Sequence, residues 1–110
     1  MKDIVEILLK KKIICKKLVQ INNKDLKTRK KIRVFEGVDL KSYYLAIFYI
    51  EQKSRFLRKN VEEIEVLYEK LKIVRDHNFK KKIFIHKSPL CSLAKDKLKE
   101  LKWKVISDLA

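Results

Sequence analysis

Residues 44–53 read Tyr44-Leu45-Ala46-Ile47-Phe48-Tyr49-Ile50-Glu51-Gln52-Lys53. On an extended strand, successive side chains face opposite sides of the sheet. Leu45, Ile47 and Tyr49 therefore form one face, and Ala46, Phe48 and Ile50 the other. Both faces are apolar. That predicts a strand in the middle of a sheet, covered by helices on both sides. The apolar run stops at Glu51, and Glu51 and Lys53, two residues apart, project together from the strand's end.

Upstream, Ile32, Val34 and Phe35 precede Gly37-Val38-Asp39, and a strand is expected from Lys31 to Leu40. The polar stretch from Asn22 to Lys31 reads as a loop. Asp3 with Glu6 resembles a capping box, predicting a helix from about Asp3 to Lys12. Ile13, Ile14, Leu18 and Val19 fit helix or strand equally. Downstream, Asn60 with Glu63 reads as an N-cap and its partner. Val61, Ile64, Leu67, Tyr68, Leu71 and Val74 follow at helical spacing, giving a helix over Val61 to Arg75. Lys82 to His86 reads as a strand, and Ser88-Pro89 as a helix start. That helix carries Leu90, Ala94, Leu98 and Leu101 to about Lys102, and Trp103 to Ile106 is a last strand. The expected class is α/β, a central mixed sheet flanked by helices in the order α-β-β-α-β-α-β. The final βαβ crossover implies parallel strands. The chain of 110 residues, 1–110, reads as a single domain.

Charge points to the partner. Lys and Arg total 29 against 14 Asp and Glu, a net charge of +15. A field of that strength on a small domain attracts polyanions, of which nucleic acid is the commonest. The longest apolar run, Tyr43 to Ile50, is too short to span a membrane, and no signal-peptide pattern opens the chain. Cys15 and Cys91 lack metal-ligand spacing, and with the lysine-rich composition they read as reduced, in a cytoplasmic protein. No glycine-rich phosphate loop is present, which argues against an ATP-driven role. Lysine clusters elsewhere read as solvated surface.

The residues that suit chemistry are Asp39, Glu51 and Lys53. If the two strands form a hairpin, Asp39 is expected to lie beside the other two. Two carboxylates can hold Mg²⁺ or Mn²⁺ against a phosphodiester, the metal activates a bound water, and a lysine stabilises developing charge. Lys53, Arg55, Arg58 and Lys59 form a basic cluster beside this site that suits phosphate contacts. Tyr43, Tyr44 and Tyr49 suit base stacking or the core. The plainer alternatives stay open: Asp39 as a turn residue after Gly37, and Glu51 and Lys53 as solvated residues where a strand leaves the sheet. His77 and His86 have no metal-ligand spacing and read as structural or exposed.

Asp39 followed after twelve residues by Glu51-Gln52-Lys53 resembles the PD-(D/E)xK nuclease superfamily, which includes restriction-endonuclease-like and archaeal resolvase-like enzymes. The resemblance covers most of the chain, including the strand-loop-helix from Lys82 to Lys95. Val38 stands where the superfamily's name has proline, and Gln52 where an apolar residue is usual. The resemblance implies a restriction-endonuclease-like core and a metal-dependent endonuclease that hydrolyses DNA. It implies Asp39 and Glu51 as metal ligands, Lys53 as catalytic base or charge stabiliser, and Glu6 as the acidic residue from the first helix. Glu36 is a further candidate. Resolvases of this size act as dimers, so a homodimer is expected by analogy. The alternative function is a non-catalytic, basic nucleic-acid-binding module.

Overall fold

The computed structural model describes residues 2–22, 24–26, 32–52 and 54–108. Lys53 and most of the loop expected between Asn22 and Lys31 lie outside the described residues. The elements are α1 (Lys2–Lys10), β1 (Cys15–Ile21), β2 (Ile32–Asp39), β3 (Tyr44–Ile50), α2 (Arg58–Arg75), β4 (Lys81–His86), α3 (Ser92–Glu100) and β5 (Trp103–Ser107). The stretch that fitted helix or strand is therefore a strand, β1.

The five strands lie in the order β1-β2-β3-β4-β5. β1, β2 and β3 form an antiparallel meander, while β4 and β5 each add in parallel through the crossovers α2 and α3. β3 is thus the central strand, as its two apolar faces require. Its residues Leu45 to Ile50 are all buried. Ala46, Phe48 and Ile50 pack under α2 and α3 with Val61, Ile64, Leu71, Leu98 and Trp103. Leu45, Ile47 and Tyr49 pack under α1, against Ile4 and Leu8. Trp103 meets Phe48, Phe84 and Tyr68 edge-on, and its indole N–H donates to Glu65 at 3.0 Å.

Two helix starts differ from expectation. α2 begins at Arg58, with Leu57 as its N-cap. Asn60 is inside the first turn, where its Oδ1 accepts the Leu57 N–H at 2.9 Å. α3 begins at Ser92 with Cys91 as N-cap, its Sγ accepting the Ala94 N–H at 3.3 Å. Ser88-Pro89 does not open the helix because its backbone is used elsewhere. The Pro89 carbonyl accepts from Phe56 N–H, and Cys91 N–H donates to the Phe56 carbonyl. The buried Ser88 hydroxyl donates to the Gln52 carbonyl. These bonds tie the segment after β3 to the segment after β4, and so hold the position of Glu51.

Candidate nucleic-acid interface

The hairpin register decides where the acidic residues go. In β2 and β3, Val38 pairs with Tyr44 and Ile32 pairs with Ile50. Asp39 is therefore at the turn, and Glu51 lies past the opposite end. Six residue steps separate those two pairs, which at about 3.4 Å per residue is roughly 20 Å. The expectation that Asp39 would lie beside Glu51 is not met by this arrangement. An antiparallel hairpin pairs residues equidistant from its turn, and Asp39 is the residue next to the turn.

At the turn end, Asp39 organises backbone. Its Oδ1 accepts the N–H groups of Lys41 and Tyr43, both at 2.9 Å, and its own N–H donates to the Tyr43 carbonyl. These bonds support a turn in which Ser42 takes a φ of 67°. Asp39 also pairs with Cys15 across β1 and β2. Burial, and after it the Asp39 charge, pushes the Cys15 thiol up, which keeps it protonated. Both cysteines are free thiols.

At the other end, Glu51 Oε1 accepts from Arg33 Nη1 at 3.2 Å, with both side chains partly exposed. The Arg33 guanidinium lies over the rings of Phe35 and Tyr49 at 5.5 and 5.3 Å. The Tyr49 hydroxyl donates to Asp108 Oδ2 at 2.7 Å. Ile50, His86 and Ser107 are in register across β3, β4 and β5, so Glu51, Lys87 and Asp108 follow them in one row. Two strand spacings put the Glu51 and Asp108 backbones about 10 Å apart. This row stands at the carboxyl ends of the parallel strands, where open α/β sheets place their ligands. Asp108, just past the last strand, adds a carboxylate to this row that the sequence did not single out, and its Oδ2 is engaged by the Tyr49 hydroxyl.

Glu6 is exposed on α1. Arg55, Arg58 and Lys59 are exposed where the chain leaves β3 and starts α2. The first turn of α2 holds no acidic residue, so Arg58 and Lys59 add positive charge where the helix dipole is already positive. No group of three or more His, Cys, Asp or Glu that could hold a metal occurs among the described residues. Glu36, the further acidic candidate, is buried and committed to a clamp. Arg75 reaches its two oxygens at 3.2 and 2.8 Å, and His77 Nε2 also meets Oε1. Tyr44 stacks on His77 with centroids 3.9 Å apart. His86 is buried, its Nδ1 2.8 Å from the Ser88 carbonyl oxygen. Neither histidine faces a metal-ligand set.

The fold matches one already seen in an endonuclease. The crystal structure of a repair endonuclease from Pyrococcus abyssi superposes with a TM-score of 0.55 at 17% identity, over 97% of this chain. The chain spans 44% of that structure's length. The fold is thus α/β of endonuclease-like, restriction-endonuclease-like type. No family model matches the sequence. No curated protein matches it either. No helix among the described residues is long and apolar enough to cross a membrane.

Proposed function

We propose that the chain is an endonuclease-like domain that binds nucleic acid, DNA first, through its positive surface. The observation that carries this reading is a net charge of +15 on a fold shared with a repair endonuclease. Arg55, Arg58 and Lys59 are the phosphate contacts at the carboxyl ends of the strands. A polyanion there relieves the unfavourable placement of two cations in the first turn of α2.

A second reading is metal-dependent hydrolysis of DNA, of the PD-(D/E)xK kind, at the same end of the sheet. It is favoured by Glu51, a carboxylate at the tip of the central strand with Lys53 two residues on. In this reading Glu51 would be a ligand for Mg²⁺ or Mn²⁺, which when bound would supply Lewis-acid activation of water, and Lys53 would stabilise the developing charge. A metal at Glu51 would compete with Arg33 for Oε1, the carboxylate oxygen that Arg33 Nη1 contacts. Asp39 is left out of this centre by the register, and Glu6 is joined to Glu51 by no contact.

Both readings are tested on a panel of single-stranded, duplex and branched DNA with Mg²⁺ or Mn²⁺. Wild type is compared with Glu51→Ala and Asp39→Asn. Binding that weakens steeply with salt is expected. If wild type binds none of the panel at low salt, the nucleic-acid reading is wrong. Hydrolysis that is lost with EDTA and in Glu51→Ala, but kept in Asp39→Asn, establishes the second reading. Salt-sensitive binding without cleavage leaves the binding module standing and removes the hydrolytic reading.

A further inference from the structure

The turn end of the sheet, far from Glu51, carries a cleft of about 700 Å³ that, of the candidate functional residues singled out in the sequence, Asp39 and Tyr43 line. Among the described residues eight lysines line it, contributed by four separate segments. Lys12 comes from the α1–β1 turn, Lys41 from the β2–β3 turn, Lys80 and Lys82 from the start of β4, and Lys102 and Lys104 from the α3–β5 turn and β5. Lys12 and Lys102 both sit in the left-handed backbone region, at φ of 60° and 73°. Ile13, Leu45 and Ile83 supply apolar wall.

The charge in this cleft is poorly balanced. Asp39 is its only carboxylate among the described residues, and Oδ1 of that group is engaged by the turn's N–H groups. Among the described residues, only Lys82 of the eight forms an ion pair, with Glu65 at 3.6 Å. Its ammonium also lies over Tyr68 and Trp103, so Lys82 belongs to the packing. Lys80 lies over the half-exposed Tyr43 ring at 5.5 Å. The other lysines are exposed. Like charges converging beside apolar, low-dielectric walls repel one another, and a bound anion removes that repulsion.

We propose that this cleft is a second nucleic-acid contact, which grips a run of backbone phosphates at the end of the sheet opposite Glu51. The proposal rests on the nucleic-acid reading above and extends it to a place. Its extent favours a chain of phosphates over a single one. From the β2–β3 turn to β5 is three strand spacings, about 14 Å. That length covers several nucleotides at roughly 3.4 Å of rise each. With a contact at each end of the sheet, a bound strand would run along the domain.

The test is fluorescence anisotropy of a labelled DNA strand and its duplex, titrated over a range of salt. Wild type is compared with the triple variant Lys41→Gln, Lys80→Gln, Lys102→Gln. A second triple variant, Lys24→Gln, Lys95→Gln, Lys99→Gln, removes the same charge from exposed positions outside the cleft. The cleft variant is expected to bind on the order of tenfold more weakly at moderate salt. Its slope of log K against log salt should fall by about one per lysine that contacts a phosphate. The control should keep most of both. The cleft variant should melt close to wild type, since the repulsion it loses is offset only by the exposed Lys80–Tyr43 cation–π contact. Equal weakening in the two variants overturns the cleft while leaving the nucleic-acid reading intact. Displacement of the strand by tripolyphosphate at matched phosphate concentration overturns the backbone assignment in favour of a small polyphosphate. Failure of wild type to bind DNA at all is the separate failure of the underlying reading.

Discussion

Glu36 shows how a carboxylate in the middle of a strand can be structural. Ile32 and Val34, on the same face of β2, pack into the core under α2. Glu36 continues that face to the point where α2 ends. There Asp76 adopts φ 54° and the chain turns back, delivering Arg75 and His77 to the carboxylate. Burial pushes the Glu36 carboxyl up, but the hydrogen bonds and charges of Arg75 and His77 outweigh it and hold the group below its ordinary value. A carboxyl depressed on folding contributes stability at pH above its unfolded value. That contribution is lost as pH falls through the folded value. Glu36→Gln keeps the shape and removes the charge. It should lower stability in urea at neutral pH by about 1–3 kcal/mol. Below about pH 4 the difference from wild type should shrink. A gap that stays constant with pH would show that the carboxylate's charge contributes nothing.

At the scale of elements, the connections after β3 and β4 matter more than the helices they lead into. Phe56 bridges to Leu90, and the Lys87 N–H donates to the Ile50 carbonyl. Ser88 and Pro89, which look like a cap and a first turn, are drawn into this stitching, so the start of α3 moves to Ser92. Its cap is then a thiol, a weak acceptor. Cys91→Ser should strengthen the cap, and Cys91→Ala should remove it, so that the serine variant is the more stable of the two by about 1 kcal/mol. Thermal melts of the pair decide this; equal melting temperatures would mean the Sγ contact to Ala94 has no capping value. The same scale explains Gly37. It has no positive φ. A Cβ there would stand 3.1 Å from Cys15 Sγ and 3.3 Å from Ile47 Cδ1, so its small size serves the close approach of β1 and the side chains under α1.

For the whole molecule, charge acts on stability and on binding in opposite directions. A net charge of +15 on 110 residues opposes compaction by self-repulsion. Added salt screens that repulsion, with a Debye length of about 10 Å at 0.1 M. The melting temperature of the free protein should therefore rise as sodium chloride is raised from low to physiological concentration, while the proposed affinity for DNA should fall. A melting temperature that falls with salt would mean that ion pairs such as Arg33–Glu51 and Arg75–Glu36 outweigh the repulsion.

The sequence by itself determined most of the elements, though not β1, which fitted helix or strand, and it determined the central position of β3, because an apolar run on both faces can be satisfied only between two helical layers. It also determined the final parallel crossover and the net charge of +15. The tertiary structure decided which residues meet. Alternation along a strand tells which face a side chain takes, but the end of the hairpin it reaches depends on where the turn falls. Because Asp39 is at that turn, it is separated from Glu51, although the spacing of the two in the chain suits a metal pair. Lys80, Lys81 and Lys82 read as ordinary solvated charge in the sequence. Only the sheet, by bringing four separate turns and strand ends to one edge, gathers them with Lys41 and Lys102 into a cleft.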